Sequence, residues 1–124
     1  MPSHTFTKHR RLLKASEYKE VFDRNTLKVA HPKLLLLALP NSSGQSRLGL
    51  VIGKKNIPTA VGRNRVKRVV RESFRQFHFS VPLDIVFLAR KGADKLSPEE
   101  INLLLHQSWC RLLQRCESLG ADNA

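Results

Sequence analysis

The residues that could perform chemistry unaided are sparse and poorly placed for it. Metal-assisted hydrolysis needs carboxylates that converge on one or two cations. The ten acids of this chain are scattered from Glu17 to Asp122, and only Glu99 and Glu100 adjoin. A helix start at Ser97-Pro98 already accounts for that pair. Five histidines (His4, His9, His31, His78 and His106) have the right chemistry for acid–base cleavage of a phosphodiester. No histidine–aspartate or histidine–cysteine spacing recurs among them. His106 and Cys110 stand four apart, which is half a metal site without a second half. No catalytic residue and no metal site is expected in this chain.

Cations are the dense resource. The stretch Val61-Gly62-Arg63-Asn64-Arg65-Val66-Lys67-Arg68-Val69-Val70-Arg71-Glu72-Ser73-Phe74-Arg75 divides into two faces when wound at about 100° per residue. Val66, Val69, Val70, Ser73 and Phe77 fall on one. Asn64, Lys67, Arg68, Arg71 and Arg75 fall on the other, flanked by Arg63 and Arg65. A solvated helix face usually mixes signs. Here Lys67, Arg71 and Arg75 repeat at i, i+4, where like charges destabilise a helix. A polyanion laid along the face would offset that cost. Lys54 and Lys55 precede the helix, so eight cations stand against one acid, Glu72, between positions 54 and 75. That imbalance favours phosphate contact over a solvated turn.

The whole composition agrees. Across 124 residues, 22 Lys and Arg oppose 10 Asp and Glu, a formal charge of +12. Nucleic acid is the default partner at this balance, with an anionic membrane the competitor. The longest apolar run, Leu34–Leu39, is too short to span a bilayer, and no long basic helix with a bulky aromatic face is present. Met1-Pro2-Ser3-His4-Thr5-Phe6 lacks the apolar segment of a secretory signal. Cys110 and Cys116, six apart in a helical pattern, point to different sides and read as reduced thiols. A cytoplasmic location is expected, without a membrane and without a stable protein partner.

The elements that must position the basic row follow from periodicity and punctuation. Ser16 is a candidate cap for a first helix over about 16–24, with Glu17 in its first turn and Asn25 at its end. Leu27–Ala30 reads as a short strand. Leu34–Leu39, bounded by Pro32 and Pro40, reads as a buried one. After the turn residues 41–45, Arg47–Gly53 reads as the returning strand of a hairpin. The basic helix is placed at about Thr59–Phe77, a fourth strand at Asp84–Ala89, and a last helix from Ser97 to a stop at Gly120. The order α-β-β-β-α-β-α predicts one α+β domain over 1–124, a small α-β sandwich, with flexible ends at 1–8 and 118–124.

Aromatics are few. Phe74, Phe77, Phe79 and Phe87 fit a core. Tyr18 and Phe22 share one helix face and could be core or a stacking platform for unpaired bases, with Lys19 and Arg24 nearby. Phe6, close to Lys8 and Arg10, is a weaker candidate of the same kind.

The central motif, Ile57-x-x-Ala60-x-x-Arg63-Asn64-Arg65-Val66-Lys67-Arg68-x-Val70-Arg71, resembles the signature of the protein subunit of bacterial ribonuclease P. Arg47-Leu48-Gly49-Leu50-Val51-Ile52-Gly53-Lys54-Lys55 is similar to the strand that enters the family's Arg-Asn-Arg helix. Leu12, Tyr18, Val21 and Phe22 resemble its first helix, and Asp84-Ile85-Val86 its last strand. The resemblance implies an α-β sandwich with a left-handed crossover through the Arg-Asn-Arg helix, against the usual handedness. It also implies a catalytic RNA as partner, which removes the 5′ leader of precursor tRNA with Mg2+ held by the RNA. No cofactor would then reside in the chain. By the same resemblance Arg63, Asn64, Arg65, Lys67, Arg68 and Arg71 would face the catalytic RNA, and the charge imbalance between positions 54 and 75 adds Arg75, Lys54 and Lys55 to that face. Tyr18, Phe22, Phe6, Lys8, Arg10 and Arg11 would meet the leader in a cleft between the first helix and the sheet. Family members often put an aromatic on the floor of that cleft, and Leu34–Leu37 supply none. A structural ribosomal or nucleoid protein and a stand-alone nuclease are the competing readings. The first would leave tRNA maturation unaffected, and the acid inventory argues against the second.

Overall fold

A computed structural model describes residues 10–122. The expected tail at 1–8 lies outside those residues, whereas 118–122 of the expected C-terminal tail lie within the last helix. The elements run α1 (Ala15–Arg24), β1 (Leu27–His31), β2 (Leu34–Pro40), β3 (Arg47–Val51), α2 (Ala60–Gln76), β4 (Leu83–Ala89), a single 3-10 turn (Ala93–Lys95) and α3 (Pro98–Asp122). This is the expected order.

Four strands make one sheet in the order β1-β2-β4-β3. β1 and β2 form a tight hairpin through Pro32-Lys33, with His31 opposite Leu34. The hairpin expected between β2 and β3 does not form. β4 lies between them, antiparallel to β2 and parallel to β3, with Leu48 opposite Ile85. The reason lies in burial. β4 is buried at six of its seven positions, on both faces, and such a strand belongs in the middle of a sheet. β3 carries Arg47 and Gly49 and takes the edge. Parallel neighbours need a long connection, and α2 is that connection. Beyond β3, the Leu12 N–H donates to the Leu48 carbonyl at 3.1 Å, and Arg11 pairs with Leu48 in parallel, so the N-terminal segment covers that edge.

The pleat divides the strands between two layers. On one side Leu34, Leu36, Ile85 and Phe87 pack under Val66, Val70 and Phe74 of α2 and Leu105, Trp109 and Leu112 of α3. The Trp109 indole is wholly buried and donates from Nε1 to Ser73 Oγ at 2.9 Å, which ties α3 to α2. On the other side Leu37 and Val86 meet Val21 of α1 and Leu12, with Tyr18, Leu35 and Leu88 around them.

Two helix ends differ from expectation. Ser16 does not cap α1. The cap position is Lys14, and Glu17 Oε1 accepts from the N–H groups of Leu13 (2.7 Å) and Lys14 (2.8 Å), so the helix start is held by a carboxylate reaching back from its first turn rather than by a serine hydroxyl. α3 does not stop at Gly120 but continues to Asp122. A helical glycine costs about 1 kcal/mol relative to alanine, and near the end of a 25-residue helix that is tolerable. Ser97 behaves as expected. Its hydroxyl accepts from Glu100 N–H (3.1 Å) while Glu100 Oε1 accepts from Ser97 N–H (2.9 Å).

Candidate nucleic-acid interface

α2 is held at its start by short-range chemistry. Ile57 is fully buried, and Thr59 Oγ1 accepts from Gly62 N–H at 3.0 Å. A Cβ on Gly62 would lie 2.8 Å from that hydroxyl and 3.1 Å from Ile57, so the turn closes only around glycine. With Val66, Val70, Ser73 and Phe74 turned into the core, the outward face is fixed. Asn64, Lys67, Arg68, Arg71 and Arg75 line one shallow concavity with Glu72, as the helical projection anticipates. Arg68 and Arg71 are exposed, Lys67 is half-buried, and none of the three has an ion-pair or hydrogen-bond partner among the described residues. Arg75 is bound by Glu72, Nε to Oε2 at 3.2 Å. Lys54 and Lys55 are exposed in the turn before the helix.

The two flanking arginines are occupied differently. Arg63 Nη1 donates to the carbonyls of Ile57 and Pro58, both at 2.9 Å. Arg65 Nη2 donates to the carbonyls of Asp94 (3.2 Å) and Leu96 (3.1 Å). Part of the donor capacity of each guanidinium therefore fastens α2 to the loops beside it.

The second candidate surface lies across the sheet. Tyr18 leans onto β3. Its ring sits where a Cβ on Gly49 would be, 2.6 Å from Cε2, and its hydroxyl accepts from Leu50 N–H at 3.3 Å. Gly49 thus serves close approach, as its place in a strand suggested; Gly53 has open space around it. Phe22, 42% exposed, faces solvent. Around them the sheet supplies Leu35, Leu88 and, opposite Leu88, Val51. The floor is aliphatic, as Leu34–Leu37 imply; Leu35 comes from that run, whereas Leu88 and Val51 join it through the β3–β4 register, which has no local signal in the sequence. Arg11 is exposed at the near edge of α1. Arg10 is elsewhere: its guanidinium carbon lies 4.8 Å from the centroid of the Phe74 ring, in the α2 layer. Phe6 and Lys8 lie outside the described residues.

An ion network that the sequence did not reveal fixes α1 to the sheet. Arg47 grips Asp84 with two bonds, Nε to Oδ1 at 2.8 Å and Nη2 to Oδ2 at 2.7 Å, and gives Nη1 to Glu17 Oε2 at 2.8 Å. Asn41 Nδ2 donates to the same Asp84 at 2.7 Å. Asp84 is 6% exposed, and an acid opening an apolar strand was the available signal that a cation must meet it. The Lys14 N–H holds the Glu17 carboxyl below its usual range, helped by Leu13 N–H and Arg47 and opposed by partial burial. Among the described residues no three His, Cys, Asp or Glu side chains gather as a metal site, and no helix is long and apolar enough to cross a membrane.

A row of cations on one layer and an aromatic cleft on the other define a nucleic-acid-binding α+β protein. A profile of the Ribonuclease P family matches residues 6–113. The Ribonuclease P protein component of Marinobacter nauticus is 45% identical over 124 residues, covering 100% of this chain and 94% of that protein. The solved RNase P protein of Staphylococcus aureus superposes with a TM-score of 0.73 at 25% identity, over 84% of this chain and 97% of that one. The RNase P protein of Thermotoga maritima gives 0.71 at 25% identity, over 84% and 96%. The chain belongs to the ribonuclease P protein family, and its role is that of the protein component of this endoribonuclease of tRNA 5′ processing, in association with ribonuclease P RNA.

Proposed function

We propose that the two surfaces divide the labour. The outward row of α2 (Asn64, Lys67, Arg68 and Arg71, with Lys54 and Lys55) lies against the catalytic RNA, where unpartnered cations meet phosphates. The cleft of Tyr18, Phe22, Leu35, Leu88 and Val51 takes the single-stranded 5′ leader of precursor tRNA, with Phe22 offering a ring for stacking. Cleavage itself belongs to the RNA and its Mg2+, and this chain binds and orients in the cytoplasm. Bringing leader and catalyst together converts a bimolecular encounter into a positioned one, which is the way a protein without reactive groups raises a rate.

The observation that carries this reading is the placement of α1 and α2 on opposite layers of one sheet, so two strands of nucleic acid can bind at once. The test is precursor tRNA cleavage at low Mg2+ and moderate salt with cognate RNA, with this protein, and with both. Cleavage at the mature 5′ end by the mixture only is the expected result. Cleavage by the protein without RNA would overturn the assignment of chemistry to the RNA. No effect of adding protein would return the basic row to a structural role on some other polyanion.

A further inference from the structure

Arg10 occupies an unusual position for a cation. It is half-buried, its guanidinium rests on the ring of Phe74, a residue with no exposure, and no carboxylate among the described residues pairs with it. Burial lowers its pKa with no acid to offset the effect. Its outer face opens into a cleft between the last turn of α2 and the loop before β3. Arg75, Gln76 and His78 line one wall, and Gly44 and Gln45 the other. Arg75 belongs also to the concavity of the basic row, so the two surfaces are continuous around the end of α2.

We propose that this cleft is a phosphate-binding site in which Arg10, Arg75 and His78 clamp a phosphodiester of the same RNA that lies on α2. The inference rests on the reading of α2 as the catalytic-RNA face. It moves Arg10 from the leader surface, which the family resemblance suggested, to the opposite layer. The chemistry fits. An arginine stacked on an aromatic ring keeps its in-plane N–H donors free, and a desolvated cation without a counter-ion gains most from an incoming anion. Glu72 engages Arg75 through Nε and a terminal nitrogen, and donors remain on the guanidinium for a phosphate.

The experiment measures binding of the full chain to cognate catalytic RNA across a salt series, for Arg10→Gln, Gln45→Glu and, as reference, Arg71→Gln. Loss of one phosphate contact lowers the salt slope by about 0.7–0.9 and weakens binding about four- to six-fold at physiological salt. Arg10→Gln is expected to show that change equally with leader-bearing and mature tRNA present. Gln45→Glu leaves the Arg10–Phe74 contact in place and sets a negative charge in the cleft. It should weaken binding by a similar factor, which keeps the test valid if Arg10→Gln folds poorly. Unchanged binding in Gln45→Glu, with a loss in Arg71→Gln, overturns the clamp and leaves the α2 reading intact. No loss in any of the three overturns both. A loss confined to leader-bearing substrate returns Arg10 to the leader surface.

Discussion

Two arginines three positions apart, Arg65 and Arg68, carry the same charge and do different work. Arg65 spends donors on the Asp94 and Leu96 carbonyls, whereas Arg68 has no partner among the described residues. Arg65→Ala is expected to lower stability by about 1 kcal/mol through lost hydrogen bonds. Arg68→Ala should stay within about 0.5 kcal/mol of the parent while the salt slope of RNA binding falls by about 0.9. Denaturant titration beside a salt series separates the two effects, and equal stability losses would sink the distinction. A second contrast lies in the cleft. Gly49→Ala drives a methyl group into the Tyr18 ring and should cost about 1–3 kcal/mol by overpacking, whereas Phe22→Ala, at an exposed site, should cost under about 0.5 kcal/mol and weaken binding of leader-bearing tRNA more than mature tRNA. Which arginines point outward was legible from helical periodicity. Which of them are tied to carbonyls was not, because Arg65 meets backbone some thirty residues away.

Elements were legible where their signals are local and obscure where pairing is long-range. Ser97-Pro98-x-Glu100 announces α3, and Pro32 and Pro40 bound β2, because caps and breakers act within a few residues. Sequential strands usually pair, so the sequence alone points to β2 as the hairpin partner of β3. The claim of β4 on the centre depends on burial of both its faces, which becomes visible only when α1 and α2 cover opposite sides of the sheet. The Arg47–Glu17–Asp84 network is the same kind of fact at the level of a helix–sheet junction. Its pH dependence has a defined sign. The folded-state pKa of Glu17 is depressed below its reference of 4.5, so its contribution is present above that value and is lost as pH falls through the folded pKa. Unfolding midpoints measured from about pH 6 down to about pH 3 should fall more steeply for the parent than for Glu17→Gln, whose amide oxygen still accepts from Leu13 and Lys14. Parallel curves would show that Glu17 contributes nothing by ionisation.

At the scale of the molecule, recognition and folding draw on one arrangement. RNA that binds only the folded chain must stabilise it, by about 2.7 kcal/mol when free RNA is one hundred times its Kd. A melting temperature that rises with added cognate RNA, and rises less for Arg71→Gln, is the expected outcome; no shift for the parent would contradict binding through the folded α2 face. The parallel pairing of β3 with β4 adds a further consequence. Leu48 cannot meet Ile85 until the intervening segment has been threaded across the sheet, and that segment is α2 itself. Such non-local closure is slower than the local pairing of β1 with β2. The basic surface is therefore displayed in its working orientation only by molecules that have finished assembling, so docking to RNA doubles as an inspection of the fold.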